Sequence, residues 1–227
     1  MTLREKQLDI PLPNRLIEKS AGRNQHSIHT FIENNICVFD EFAIKWCTKC
    51  ASSTIQKIYW TMMRKPDNFL VSWDKSFQAK YSDIELKPRL EYTSDKPLYA
   101  FYRDPIERFV SSCNFLLWEI SERQPEWSGP SSISEMIEFV KYYNVVRTSD
   151  IFWPQSIYLI KPDLYEAVYK TSFLNRFLNS WGIDVNDYGS EKVGLAKGPF
   201  YIDQLSDEDI RMVKDLYHMD YLLGWGE

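Results

Sequence analysis

Apolar positions early in the chain form short runs that give way to helical spacing. Phe42-Ala43-Ile44-Lys45-Trp46 is a run short enough to bury as a strand. Downstream, Ile55, Ile58, Tyr59 and Met62 recur at the spacing of one helix face. Between them lies a loop of small and hydroxylated residues around Lys49, so the pattern predicts strand, loop and helix in that order. Ile36-Cys37-Val38-Phe39 predicts an edge strand beside the first. Leu98-Tyr99-Ala100-Phe101-Tyr102 predicts the next central strand. Behind it, Asp104 suits an N-cap, Pro105 the first helical position, and Glu107 the reciprocal acid of a capping box. That helix buries Ile106, Phe109, Val110, Cys113, Leu117 and Ile120. A further helix starts near Ser132 or Ser134. Leu164–Tyr169 alternates as a strand, Thr171 caps a helix that Gly182 ends, and Ser206 opens a last helix with Asp207, Glu208 and Asp209 in its first turn.

Strands alternating with helices define an α/β class with a central, mainly parallel sheet. Residues 1–35 read as an N-terminal arm. No Gly/Ser/Pro-rich linker divides the remainder, so 36–227 reads as a single domain. Residues 65–97 carry Pro66, Pro88 and Pro97 with Phe69, Trp73, Phe77 and Tyr81, the mixture expected of a substrate loop. Hydrophobic residues make up 44% of the 227, enough for a packed core and outside the disordered range. A net charge of −5 argues against indiscriminate binding to nucleic acid, so any anion site must be built locally from a few cations. The apolar runs are too short for a membrane span. The first twenty residues carry charges throughout, unlike a secretory signal. Four cysteines do not make a disulfide framework. These features together predict a cytoplasmic protein.

Two stretches carry candidate chemistry. A helix start presents N–H groups without intrahelical partners at the positive end of the dipole. Ser52, Ser53 and Thr54 add hydroxyls there, Lys49 adds a mobile charge, and no acidic residue lies between Lys45 and Arg64. The second stretch is Arg103-Asp104-Pro105-Ile106-Glu107-Arg108-Phe109-Val110-Ser111. With Asp104 at the cap, a phosphate would be gripped by Arg103, whose planar fork suits phosphate oxygens, and by the Ser111 hydroxyl two turns along. In the competing reading, Arg103 and Arg108 merely pair with Asp104 and Glu107 on a helix surface.

The first stretch is not a Walker A loop, for no glycine occurs between Gly22 and Gly129. Thr48-Lys49-Cys50-Ala51-Ser52-Ser53-Thr54-Ile55 resembles the 5′-phosphosulfate loop of sulfotransferases, especially carbohydrate-type and related bacterial enzymes, roughly P-K-x-A-S/C-T-S-I, with Thr48 in place of proline. The second resembles that family's 3′-phosphate motif, R-D-P-x-x-R-x-x-S. Trp153-Pro154-Gln155-Ser156 before Ile157-Tyr158-Leu159 is similar to its P-Q-s-x-y-l segment, and Leu216-Tyr217-His218-Met219-Asp220-Tyr221 to its L-Y-x-x-D-Y end. The resemblance spans roughly 40–225. It implies a three-layer α/β/α, P-loop-like fold and transfer of a sulfuryl group from 3′-phosphoadenosine 5′-phosphosulfate (PAPS) to an acceptor hydroxyl or amine, without a metal. Lys49 would be the catalytic cation. Cys50, Ala51, Ser52, Ser53 and Thr54 would line the 5′-phosphate, Arg103 and Ser111 would hold the 3′-phosphate, and Lys197 would add a contact. Family members place the acceptor base between the two phosphate blocks, where Asp83 and Glu85 lie nearest the expected distance. The aromatic loop permits a carbohydrate or a phenolic small molecule as acceptor.

Two other readings compete. Trp46-Cys47-Thr48-Lys49-Cys50 also resembles the W-C-x-x-C site of thioredoxins, with Cys47 as nucleophile. That reading leaves the Arg103 block unexplained. The chain could also bind a nucleotide without catalysis.

Overall fold

The computed structural model describes residues 36–64, 95–121, 126, 129–143, 150–159, 162–188 and 198–226. In chain order these form β1 (Ile36–Val38), β2 (Ala43–Lys45), α1 (Ser52–Arg64), β3 (Leu98–Tyr102), α2 (Pro105–Ser121) and α3 (Ile133–Tyr143). There follow α4 (Gln155–Tyr158), β4 (Ala167–Lys170), α5 (Leu174–Ser180), α6 (Asp207–Leu216) and α7 (His218–Leu222), with short 3-10 turns between. They belong to two compact units, and the chain passes from one to the other at Tyr102–Arg103, Ile157–Tyr158 and once more before Gly198.

The sheet unit holds the four strands in the order β1-β2-β3-β4. β1 runs antiparallel to β2, with Ile36 opposite Lys45. β2, β3 and β4 are parallel, pairing Ala43 with Leu98 and Tyr99 with Ala167. The sheet is thus mixed, with its parallel part in the majority, and the expected edge strand is β1. All three residues of β2 are buried, as a strand covered on both faces requires. Aromatic rings do much of the packing: Phe42 stacks on Phe39 at 4.7 Å and meets Phe177 edge-on at 5.4 Å. Ile55 and Ile58 bring α1 onto the same core, and Leu174 and Leu178 bring α5.

Two expectations shift here. β4 begins at Ala167, because Pro162–Leu164 coils into a 3-10 turn instead of opening the strand. Thr171 does not cap α5; it starts another 3-10 turn, which feeds the helix without a side-chain cap. Gly182 does end the helical stretch, at φ 74°, where its N–H takes the Asn179 carbonyl.

The helical unit packs α2, α3 and α6 around Phe109, Cys113, Leu116, Ile137, Val140 and Val213. Leu116 is the fully buried leucine of α2 and Leu117 only packs against the cluster, since Phe109, Cys113, Leu116 and Ile120 share one helix face. Ser206 opens the last long helix as expected and forms a capping box with Asp209: the Ser206 hydroxyl accepts from Asp209 N–H at 3.1 Å, and Asp209 Oδ2 accepts from Ser206 N–H at 3.0 Å. The last helix is broken at Tyr217, whose buried hydroxyl donates to the Phe152 carbonyl at 2.9 Å.

Candidate functional site

In the sheet unit, the turn between β2 and α1 winds against ordinary backbone preference. Cys50 N–H bonds the Cys47 carbonyl at 3.2 Å, closing a β-turn, and the turn's third residue, Lys49, sits at φ 64°. Ala51 follows at φ 58°. This left-handed region costs a non-glycine residue roughly 1–2 kcal/mol, so two such residues with a single residue between them need support from their surroundings. The buried Thr48 hydroxyl, 3.1 Å from that of Tyr158, and the fully buried Cys47 and Cys50 supply part of it. Left-handed residues next to a helix start turn successive N–H groups toward one side, the geometry of an anion nest. Ala51 also leaves α1 without a side-chain oxygen at its cap, although its carbonyl takes the Ile55 N–H at 3.0 Å. The first turn of α1 carries no acid. Among the described residues, the hydroxyls of Ser52, Ser53 and Thr54 have no hydrogen-bond partner.

The two loop sulfurs are 3.3 Å apart as free thiols, and the Cys47 thiol also lies 3.4 Å from the Thr48 carbonyl. Burial, then the neighbouring Cys47 sulfur, push the Tyr165 hydroxyl well above its ordinary value. A dithiol nucleophile must be reachable by its partner disulfide, whereas Cys47 and Cys50 are 0% exposed.

In the helical unit, Arg103 follows directly on β3 and its peptide is clamped by one side chain. Gln155 Oε1 accepts Arg103 N–H at 2.8 Å, and Gln155 Nε2 donates to the Arg103 carbonyl at 2.8 Å. Asp220 holds the clamp in turn. Its Oδ2 accepts from Gln155 N–H at 2.9 Å and from Nε2 at 3.3 Å, while Oδ1 accepts from Ser156 N–H at 2.8 Å. Gln155 and Asp220 are both 0% exposed. Asp104 caps α2 as expected, its Oδ1 accepting from the N–H groups of Ile106 at 2.9 Å and Glu107 at 3.2 Å. Glu107 does not close a capping box. Its carboxylate instead takes Arg103 Nε at 3.2 Å, a half-exposed pair one helical turn apart. Among the described residues the two terminal amino groups of Arg103 have no partner, nor does the Ser111 hydroxyl. Arg108 is 1% exposed, so it does not lie on a helix surface.

Beside this clamp, the Tyr221 hydroxyl is buried and has no hydrogen-bond partner among the described residues. Burial, then the carboxylates of Asp104 and Asp220, raise it well above its ordinary value. Its ring lies so close to Gly226 that a Cβ there would meet it at 2.0 Å.

Lys49, Cys50, Ala51, Ser52, Ser53 and Thr54 therefore stand together in the sheet unit, and Arg103 and Ser111 in the helical unit. Asp83, Glu85 and Lys197, with Phe69, Trp73, Phe77 and Tyr81, lie outside the described residues. Gln155 and Asp220 stand in the two stretches that resemble the P-Q-s-x-y-l and L-Y-x-x-D-Y segments, but neither was assigned a role there, and nothing in the sequence pairs them. Comparison with protein-family models, curated proteins and solved structures finds no match. No helix among the described residues is long and apolar enough to cross a membrane.

Proposed function

We propose that this chain is a sulfotransferase of P-loop-like fold. In this reading it moves a sulfuryl group from 3′-phosphoadenosine 5′-phosphosulfate to an acceptor hydroxyl or amine, a carbohydrate or phenolic small molecule. The observation that carries the reading is the start of α1. Three hydroxyls without a partner among the described residues, an acid-free first turn and two left-handed residues gather donors where an anion would sit. The terminal amino groups of Arg103 and the Ser111 hydroxyl, without partners among the described residues, support the second half, recognition of a 3′-phosphate.

During transfer the bond between sulfur and the bridging oxygen breaks. Its electron pair stays on the 5′-phosphate of the leaving 3′,5′-adenosine bisphosphate. The acceptor oxygen or nitrogen bonds to sulfur and its proton passes to a base, for which Asp83 and Glu85 are the candidates. Lys49 meets the charge that grows on the bridging oxygen, an interaction stronger in the transition state than in the ground state.

The first test is ligand stabilisation. The bisphosphate should raise the melting temperature clearly and AMP far less; equal shifts would remove the case for a 3′-phosphate site. The 3.3 Å sulfur separation favours one other reading, a dithiol oxidoreductase. Incubation with insulin separates the two. The sulfotransferase reading expects no disulfide reduction by the wild type, and sulfuryl transfer kept within a few-fold in Cys47→Ser and Cys50→Ser. Reductase activity lost in Cys47→Ser would replace it.

A further inference from the structure

We propose that Asp220 and Gln155 are positioning residues that set the preference of Arg103 for a ligand bearing a 3′-phosphate. The inference rests on the reading of Arg103 given above and adds to it what holds the arginine.

Arg103 leaves the sheet at the end of β3, where a peptide loses its ladder partners and must find others. It finds both on a single side chain. The Gln155 amide takes the N–H and the carbonyl of the same residue, each at 2.8 Å, and so fixes that peptide at two points. An amide can turn over and exchange its oxygen for its nitrogen. Here the turned form would set the amide oxygen against both the Arg103 carbonyl and the Asp220 carboxylate. Asp220 therefore selects one orientation of Gln155, and Gln155 fixes the main chain of Arg103.

The side chain is steadied separately, by Glu107 at Nε. What remains unused among the described residues is the pair of terminal amino groups, the part of a guanidinium that grips phosphate oxygens in parallel. A fork anchored at its backbone and at Nε loses less freedom when a phosphate arrives than a free arginine would. The geometry thus gives two segments far apart in the chain, Pro154–Ser156 and Tyr217–Tyr221, one shared task. Gln155 is 52 residues from Arg103, and Asp220 a further 65 beyond.

The test is calorimetric binding of 3′,5′-adenosine bisphosphate and of AMP, well below the melting temperature, to wild type, Arg103→Ala, Gln155→Leu, Asp220→Ala and Asp220→Asn. The readout is the ratio of the two affinities, which a general loss of stability does not move. Wild type should favour the bisphosphate. Gln155→Leu and Asp220→Ala should each lower that ratio by about tenfold, equivalent to about 1.4 kcal/mol, with AMP affinity held within a few-fold. Asp220→Asn keeps an oxygen for Gln155 and should recover most of the ratio; should Asp220→Ala fail to fold, Gln155→Leu is the variant that reads the positioning role. If Arg103→Ala collapses the ratio while folded Gln155→Leu, and Asp220→Ala where it folds, both match wild type, the positioning role is overturned and the phosphate reading stands. If wild type shows no preference, or Arg103→Ala keeps it, the phosphate reading falls and the positioning role with it.

Discussion

The loop at Lys49 and the junction at Arg103 both present cationic donors beside a helix start, but they are built by opposite means. The loop is assembled from consecutive residues: a turn closed between Cys47 and Cys50, two left-handed positions, then three hydroxyls on the first turn of α1. The helix start there is left open. At the junction the helix start is occupied by Asp104, and the arginine is held by a glutamine and an aspartate from distant segments. A site made of contiguous residues uses backbone N–H groups and gains little from side-chain reach. A site whose helix end is already capped must recruit side chains, and holding those takes a buried network. Under the proposed function the two regions would take different tasks, one meeting charge that changes during a reaction and the other gripping charge that does not.

The largest expected effect tests the first half of that contrast. Lys49→Ala should cut kcat by about 10²–10³, the loss expected on removing one transition-state donor, while bisphosphate affinity falls less. Lys49→Arg should rescue poorly, since a planar fork does not occupy the place of a compact ammonium. Single-turnover transfer of labelled sulfate to an acceptor mixture at saturating donor measures this. A variant that loses donor affinity and keeps kcat would make the loop a ground-state grip like the junction, and the contrast would vanish. A wild type that binds the bisphosphate and transfers nothing would be a nucleotide-binding module.

The contrast also explains which parts were legible in the sequence. The loop was, because its signals are adjacent: a buried run, small residues, hydroxyls and helical spacing. So was the Asp104 cap, whose partners lie two and three residues on. Glu107 was misassigned because two local bonds competed for one carboxylate. The guanidinium beside it on the same face won over the backbone N–H of a capping box, charge-assisted bonds being the stronger kind. Thr171 failed as a cap for a similar local reason: a 3-10 turn intervenes before α5. The Gln155–Asp220 clamp was illegible in principle, since no periodicity or spacing reports a contact across 65 residues. The bond from the Tyr217 hydroxyl to the Phe152 carbonyl belongs with it, since it too spans 65 residues.

A smaller effect sharpens the second half. Arg103→Ala should weaken bisphosphate binding by about 2 kcal/mol, one or two charge-assisted hydrogen bonds, with kcat at saturating donor little changed. Folding stability should hardly move, because the pair with Glu107 is open to solvent and such pairs contribute about 0–1 kcal/mol. Titration calorimetry and urea denaturation on the same preparation separate the two. A drop in kcat as large as that of Lys49→Ala would show that the junction too faces changing charge.

The smallest effect provides the control for local wiring in the helical unit, away from either candidate block. The start of α6 at Ser206 was read from the sequence, and there the serine closes a capping box with Asp209. Ser206→Ala should cost about 1 kcal/mol, the usual loss on removing a serine cap. Its pH dependence follows from Asp209. Burial pushes that carboxyl up, but hydrogen bonds from the Ser206 hydroxyl, the Ser206 N–H and Ser134 outweigh it, and the group titrates below its ordinary value of 3.8. A carboxyl whose folded value is depressed contributes stability that is fully present above the unfolded value and is lost as pH falls through the folded one. The gap between wild type and Ser206→Ala should therefore be full at neutral pH and narrow below about pH 4. Urea melts at pH 7, 5, 4 and 3 follow it. A gap that stays constant to pH 3 would mean that the serine acts on the Asp209 N–H alone, and that its hydroxyl contributes nothing to the carboxylate 2.7 Å away.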